Sequence, residues 1–203
     1  MQLSLGAGPR ARQNEVMRIV LLLLAFVASS ASANEACEDV WFTRNLIFDR
    51  AGYCFGSTLG QAVFDNSNCI GTSVSIPPDQ KRIVDEIRAL EAQHGCQVDT
   101  GRTGLRLIDA AIRRQLRDLP IRDEFESGCL GWLGPVVPLH AGHDNSSAVI
   151  GRVEPGDYIL YSHLGRGGWS YVTTHTANWT SLKSGGWMRQ TGVSDASCAQ
   201  WAG

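Results

Sequence analysis

The chain has 203 residues, with 18 basic and 20 acidic side chains and a formal net charge of −2. Its apolar fraction of 43% is that of an ordinary globular protein and excludes a mainly disordered chain. With a slightly negative net charge, the chain lacks the excess of basic residues that is typical of proteins that bind nucleic acid or an anionic membrane surface.

Residues 1–33 combine a basic start, an apolar core at residues 19–28 and small residues ending at Ala33. This pattern is typical of a secretory signal peptide, and we expect cleavage near Ala33, whether translation starts at Met1 or at Met17. Cleavage leaves 15 basic and 19 acidic residues. No later segment is apolar enough to cross a membrane, so we expect a periplasmic or secreted protein.

An amphipathic helix is predicted over residues 39–51, followed by a glycine stop. Gly52 is expected in a left-handed conformation just beyond the helix, with Tyr53 folded back over Phe48. The polar side chains among these apolar neighbours predict a buried polar network that anchors the following loop. They are Arg44, Asn45 and Asp49.

Three further helices are predicted downstream. The first is capped by Thr58, with Gln61 reaching back to it, and the second runs from Asp79 to His94. The third runs from about Leu105 to Leu119. Its inward side chains are predicted to be Ile108, Ile112 and Leu116, and its outward ones Arg113, Arg114 and Arg117. Because aspartates are interspersed, the arginines indicate a solvated face rather than an anion site.

From about residue 128 the pattern changes to short β-branched or aromatic runs separated by glycine-rich turns. This pattern predicts a small antiparallel barrel or sandwich. Pro155 and Gly156 are expected at the centre of a type II turn that joins two paired strands. The chain as a whole is therefore predicted to be α+β, with a helical domain at residues 34–125 and a β domain at residues 126–203.

All six cysteines follow the expected cleavage point, and an even number in an exported chain predicts three disulfides. They are Cys37, Cys54, Cys69, Cys96, Cys129 and Cys198. Fifteen pairings are open. We favour Cys54 with Cys69 and Cys129 with Cys198, which leaves Cys37 with Cys96. No closely spaced cysteine pair suggests zinc.

The stretch "DVWFTRNLIFDRAGYCFGSTLGQAVF" resembles the YARHG domain of exported bacterial proteins. The matching residues are Trp41, Arg44, Asn45, Ile47, Arg50, Gly52, Tyr53, Phe55 and Phe64. The five-residue signature reads Phe48-Asp49-Arg50-Ala51-Gly52, so it contains no histidine to act as acid, base or metal ligand. The rest of the chain resembles an uncharacterised extension found after such domains in periplasmic proteins of alphaproteobacteria.

Residues 134–193 also resemble, more weakly, a bacterial SH3-like module. Their opening strand, loop and turn match it, as do the Gly-Trp pairs at Trp169 and Trp187. The resemblance implies an SH3-like antiparallel β-barrel. Its implied role is the binding of cell-wall peptides or proteins, not catalysis.

Candidate catalytic groups are few. His140 and His143 have an H-x-x-H spacing with Asp144 alongside, and a metal site would need His163 or His175 to approach them. Loop histidines that hydrogen-bond locally are the favoured alternative, so we expect no metal and no cofactor. Asp123, Glu124 and Glu126 form an acidic group that could flank a glycan bond but is more typical of a solvated linker. No serine lies in a nucleophile elbow.

The best binding candidates are aromatic side chains of the β domain, because aromatic residues often line a peptide groove. They are Trp169, Tyr171, Trp179 and Trp187. Core packing is an equal alternative for Trp169 and Trp187, and Trp179 lies in a polar loop. We therefore expect non-catalytic binding of a cell-wall peptide (peptidoglycan) or an envelope protein. A cell-wall hydrolase and a structural or assembly factor without a ligand are the alternatives.

Overall fold

The computed structural model describes residues 35–203, so the predicted signal peptide, its cleavage near Ala33 and the choice of start codon lie outside the described residues. The helices are α1 (residues 35–50), α2 (Thr58–Val63), α3 (Pro78–Gln93) and α4 (Ala110–Arg113). The strands are β1 (Arg122–Trp132), β2 (Val137–His140), β3 (Val149–Val153), β4 (Tyr158–His163), β5 (Trp169–His175), β6 (Leu182–Arg189) and β7 (Cys198–Ala202). Helices followed by an antiparallel sheet make an α+β fold, as predicted.

The end of α1 follows the predicted glycine stop. Gly52 has a φ of 83°, and the Tyr53 amide donates to the Phe48 carbonyl at 3.0 Å. The rings of Phe48 and Tyr53 meet edge to face with centroids 5.8 Å apart. A residue in the left-handed conformation and a folded-back apolar contact are the two marks of this kind of helix end. The prediction from Gly52 and Tyr53 is confirmed.

The cap of α2 differs from the prediction by one residue. Ser57, not Thr58, is the N-cap, and its hydroxyl accepts from the Gly60 amide at 3.1 Å. Gln61 does not reach back to a cap amide; its side chain donates instead to the Phe55 carbonyl at 3.1 Å. Serine one residue earlier satisfies the same free amides, so the helix starts as expected but with a different cap.

The helix predicted from Leu105 to Leu119 is wrong. Only Ala110–Arg113 is α-helical, Ile108 is 68% exposed, and Arg113, expected in solvent, is 1% exposed. The physical reason is a set of ion pairs that draws Arg113 inward, which local amphipathic spacing cannot reveal. Leu116 is buried as predicted.

The seven strands form one antiparallel sheet in the order β3-β2-β6-β5-β4-β1-β7. Strands β3 and β7 are its two ends, so the sheet is not closed and an SH3-like barrel is not confirmed. Strand β1 runs across the boundary that was expected between residues 125 and 126. The first strand of the sheet thus reaches towards the helices.

The turn at Pro155 and Gly156 has its predicted form but joins strands that are not paired. Gly156 has a φ of 88°, and the Asp157 amide donates to the Glu154 carbonyl at 3.0 Å. Strand β3 pairs with β2, whereas β4 pairs with β5 and β1. The turn therefore separates β3 from β4, and the predicted pairing across it is wrong.

The main core lies where α1 packs on the sheet. Its buried members come from α1, the α2 region, α3, the segment before β1, and strands β5 and β6: Trp41, Phe42, Leu46, Ile47, Phe55, Leu59, Phe64, Val84, Leu116, Leu119, Trp169, Tyr171 and Trp187. A second core within the β domain surrounds Cys129, Leu139 and Val172. The first core packs the helices against the strands, and the second lies within the β domain.

Three disulfides use all six cysteines, as predicted. Cys37 is bonded to Cys96, Cys54 to Cys69, and Cys129 to Cys198. The first ties the start of α1 to the chain just after α3, and the last ties β1 to β7. Within residues 35–203, no helix is long and apolar enough to cross a membrane.

Candidate functional site

A buried group of charged and polar side chains joins α1, α4 and the sheet; we call it the junction network. Its members are Asp39, Thr43, Asp109, Arg113, His163 and Tyr171. At its centre the two terminal nitrogens of Arg113 donate to the two carboxylate oxygens of Asp39, each at 2.6 Å. Arg113 Nε donates to Asp109 Oδ2 at 2.9 Å. A planar guanidinium is suited to this geometry, because its fixed donors match carboxylates on two sides.

The charges of the network are nearly balanced. Asp39 and Asp109 carry two negative charges against the single positive charge of Arg113, and Arg122 approaches Asp39 Oδ2 at 3.6 Å with a second positive charge. Burial by itself raises the pKa of Asp39, but the charge and hydrogen bonds of Arg113, together with the contact from His163, outweigh it and hold that pKa well below its usual range. Asp39 is therefore a carboxylate at neutral pH.

Two ring side chains complete the network. The Tyr171 hydroxyl donates to Asp109 Oδ2 at 2.8 Å, and burial followed by the charge of Asp109 raises the pKa of Tyr171 well above its usual value. His163 lies edge to face with Tyr171, with centroids 5.0 Å apart. Burial first, and then the charge of Arg113, lower the pKa of His163 despite the opposing effect of Asp39. Both rings are therefore uncharged at neutral pH.

The lowered pKa of His163 makes stability depend on pH. Below about pH 6.5 the unfolded chain binds a proton at this histidine that the folded chain does not, so the free energy of unfolding should fall as the pH decreases from 7 to 5. Urea unfolding across this window should show a shallower fall for His163→Gln than for the wild type. Burial also lowers the pKa of His175, which accounts for a remaining slope. Identical pH profiles would contradict the assignment.

Serine, histidine and aspartate meet at one side of the network. Ser162 Oγ lies 3.1 Å from His163 Nδ1, and His163 Nε2 lies 3.1 Å from Asp39 Oδ2, beside a cavity of about 280 Å³. In serine hydrolases the nucleophile contacts Nε2 and the aspartate contacts Nδ1, which is the reverse of this order. Ser162 is also buried, and Arg113 already pairs both oxygens of Asp39. The arrangement therefore favours a structural role.

An aromatic group with one exposed ring, which we call the aromatic shelf, lies at the ends of β4 and β5. It consists of Trp179, Tyr158 and His175. The Trp179 ring is 5.4 Å from Tyr158 and 5.0 Å from His175, centroid to centroid. Trp179 is 41% exposed. A large ring held by two neighbours and open on one side is suited to stacking on a ligand.

The loop that carries Trp179 has an uncommon backbone. Asn178 and Trp179 have φ values of 69° and 59°, in the left-handed region that bulky residues rarely adopt. Thr176 holds this conformation: its carbonyl accepts from the Trp179 amide at 3.0 Å, and its hydroxyl accepts from the Ser181 amide at 3.1 Å. The cost of such a conformation is of order 1–3 kcal/mol, and strain of this kind clusters at functional sites.

A groove of about 670 Å³ lies between α1, α3 and the start of β1; we call it the helix–strand groove. It is lined by Ala36, Cys37, Val40, Leu90, His94, Cys96, Arg122, Asp123, Glu124, Phe125 and Glu126. Its floor is apolar and contains the Cys37–Cys96 disulfide, and its strand side is acidic. Phe125, on that side, is 78% exposed. Its volume is in the range of small-ligand and peptide sites.

Comparison with known families divides the chain close to the start of the segment between α3 and α4. Residues 95–203 match the family described as Domain of unknown function (DUF4453). The chain belongs to the DUF4453 family. Residues 17–92 match the YARHG domain, which supports the resemblance seen in the sequence. No similar protein was found among curated proteins or solved structures. The YARHG domain and the disulfides fit an extracellular or periplasmic protein.

The DUF4453 region buries three of the four predicted binding aromatics. Trp169, Tyr171 and Trp187 are 7%, 0% and 1% exposed, so their rings are not available to a groove. Trp187 Nε1 donates to the Asp118 carbonyl at 2.7 Å, and Tyr171 belongs to the junction network. These contacts favour the core-packing alternative. Trp179 is the one member of the predicted set that lies on the surface.

The YARHG residues considered for a polar network lie elsewhere than expected. Arg44 pairs with Glu91 of α3 at 3.0 Å, and Asn45 donates to the Trp41 carbonyl of its own helix at 2.8 Å. Burial raises the pKa of Asp49, which is partly buried. None of these contacts reaches the loop that follows α1, so the predicted anchoring of that loop is wrong. Arg44 instead joins α1 to α3.

The histidines considered as a metal-ligand pair, His140 and His143, do not converge on a common site. His140 Nδ1 lies 3.0 Å from the Ser147 carbonyl, whereas His143 Nδ1 lies 2.9 Å from Asp118. Asp144 pairs with Arg117, and His163 and His175 lie in other contacts. Among residues 35–203 no group of three or more His, Cys, Asp or Glu side chains is arranged to hold a metal ion.

Sequence reasoning missed the junction network because its partners are far apart in the chain. Asp39 and Arg113 are separated by 74 residues, and Arg113 and His163 by 50. The one local signal was the spacing of Asp109 and Arg113, which places them on the same side of a helical turn. That spacing predicts an ion pair but not its burial.

Proposed function

We propose that this chain is a non-catalytic binding protein of the bacterial envelope, and that its ligand is a cell-wall peptide held on the aromatic shelf. The observation that carries the proposal is Trp179, a partly exposed ring on a left-handed backbone against Tyr158 and His175. A tryptophan held in one position loses little conformational freedom when a ligand covers it.

Two features support this location and role. Three disulfides suit the oxidising periplasm, where a chain with a signal peptide cleaved near Ala33 would act. We further propose that residues 134–193 work as an SH3-like module. The short antiparallel strands and the type II turn at Gly156 support this reading, although the sheet is open.

Co-sedimentation with purified sacculi tests the binding role. The wild-type protein should pellet with sacculi, and Trp179→Ala should weaken the apparent affinity by about tenfold or more, as expected when a central aromatic contact is lost. Trp201→Ala is the matched control, because Trp201 is 37% exposed but packs on Tyr161 rather than on the shelf. It should pellet like the wild type.

The outcomes of this experiment separate the alternatives. If the wild type did not pellet with sacculi, a cell-wall ligand would be excluded. If both tryptophan variants lost affinity equally, the aromatic shelf would be excluded as the binding site. The hydrolase alternative would have to use Ser162, His163 and Asp39, which lie in contact but in the reverse order of a serine hydrolase. Clearing of sacculus turbidity that Ser162→Ala abolishes would replace binding by hydrolysis as the function.

A further inference from the structure

The acidic side of the helix–strand groove is a bulge in β1, residues 123–126, which we call the acidic bulge. Strand β1 pairs with β4 at Arg122 opposite His163 and again from Ser127 opposite Tyr161. Four residues of β1 therefore lie opposite one residue of β4. On the other side, β7 pairs with β1 from Gly128 onwards. The ladder with β4 is thus interrupted over these residues. Towards their end Gly203 lies against the Glu126 carbonyl, and the Phe125 amide donates to Asp123 Oδ1 at 3.4 Å, so the backbone nearer Asp123 is the part to which an incoming extended chain can hydrogen-bond.

The floor of the groove supplies the apolar surface that such a chain would need. Val40 and Leu90 lie beside the Cys37–Cys96 disulfide, and all of them line the same cavity of about 670 Å³. Phe125 adds an exposed ring at the edge. This space is ample for one large apolar side chain together with the backbone on either side of it.

The charges around the groove determine which charge its partner must carry. Asp123, Glu124 and Glu126 line it, against Arg122 and His94. Arg122 is already engaged, because it pairs with Glu126 and lies 3.6 Å from Asp39. His94 Nε2 lies 3.5 Å from Glu124. The groove therefore has an excess of negative charge that attracts cationic side chains and repels acidic ones.

The same charges argue against a second copy of this chain as the occupant. Two acidic bulges paired edge to edge would bring their carboxylates together, and like charges placed opposite each other in a sheet are destabilising. A different chain with basic side chains has no such penalty.

We propose that the helix–strand groove binds an extended cationic peptide segment, which pairs with the backbone of the acidic bulge and inserts one apolar side chain over Leu90 and the disulfide. Alternate side chains of an extended strand point to opposite sides, so a basic–apolar alternation fits the acidic side and the apolar floor together. This surface is separate from the aromatic shelf and does not rest on the function proposed above.

Fluorescence anisotropy with defined peptides tests the partner chemistry. The probe is a labelled peptide of sequence Lys-Val-Lys-Phe-Lys-Val-Lys, measured at low ionic strength with the full chain. Two counterparts carry Glu in place of every Lys, or Ser in place of Phe. The Lys-Phe peptide should bind, and each counterpart should bind at least about tenfold more weakly. Equal binding of the Glu peptide would overturn the proposal.

Matched variants test whether the peptide binds in the helix–strand groove. Asp123→Lys and Phe125→Ser should each weaken binding of the Lys-Phe peptide by about tenfold. Asp195→Lys makes the same change of charge on an exposed residue elsewhere, and it should have little effect on binding. Phe125 is 78% exposed, so its replacement should leave stability nearly unchanged. Trp179→Ala should bind the peptide like the wild type. If Asp195→Lys weakened binding as much as Asp123→Lys, the effect would be one of overall charge and the groove would be excluded.

Discussion

Replacing Arg113 by methionine should lower the free energy of unfolding by about 3–5 kcal/mol, the usual range when one partner of a buried ion pair is removed. The side chain is 1% exposed, and it is the partner of two buried carboxylates, Asp39 and Asp109. Methionine fills a similar volume, so the loss would come mainly from carboxylates left without a counter-charge in a site that water does not reach.

Asp109 should contribute strongly to this loss. Both of its interactions, with Arg113 Nε and with the Tyr171 hydroxyl, are made through Oδ2. Within residues 35–203 its other oxygen, Oδ1, is buried without a hydrogen-bond partner. Adding Asp39→Asn and Asp109→Asn to Arg113→Met should therefore recover part of the lost stability, because the triple variant no longer buries unpaired charge.

Urea unfolding followed by tryptophan fluorescence at pH 7.5 measures these changes. Arg114→Met is the matched control: Arg114 is the neighbouring residue but is exposed, and it donates to the Val63 carbonyl at 2.6 Å. Its replacement should lower the free energy of unfolding by no more than about 1 kcal/mol. If Arg113→Met were no worse than Arg114→Met, the junction network would not be a stabilising element of the fold.

The contrast between these two arginines shows where sequence reasoning succeeds and fails here. The stop of α1 at Gly52 and the extent of α3 were predictable, because each depends on residues within a few positions. The burial of Arg113 was not, since its partner Asp39 lies 74 residues away and exposed and buried arginines look alike in a local pattern. Charged residues at helical spacing predict a solvated face unless a distant counter-charge draws them inward.

The surface sites show the same division. Trp179 was predictable as an exposed aromatic from its polar neighbours, but its left-handed backbone and its contacts with Tyr158 and His175 were not. Residues 123–126 were predicted to be a solvated linker, yet they belong to a strand that forms one wall of a groove. Their role depends on the bulge opposite β4 and on the position of α3, both of which are set by tertiary packing.

Removing the disulfides one at a time should destabilise the protein in the order of the loops they close. The Cys37–Cys96 and Cys129–Cys198 bonds span 59 and 69 residues, and Cys54–Cys69 spans 15. The chain-entropy relation gives losses of about 4 kcal/mol for each of the two long loops and about 3 kcal/mol for the short one. Paired Cys→Ala variants, compared by urea unfolding, measure these losses. A larger loss for Cys54→Ala/Cys69→Ala would show that native contacts, not loop length, set the order.

The two long-loop disulfides should differ in their effect on binding although they are alike in stability. Cys37–Cys96 forms part of the floor of the helix–strand groove, whereas Cys129 and Cys198 belong to the core of the β domain. Without the first bond the start of α1 is no longer fixed to the end of α3, so the groove loses both a contact surface and its rigid shape. The comparison is made under conditions where both paired Cys→Ala variants remain folded. Only Cys37→Ala/Cys96→Ala should then bind the Lys-Phe peptide about tenfold more weakly than the wild type. Equal binding by both variants would mean that the Cys37–Cys96 disulfide takes no part in holding the peptide.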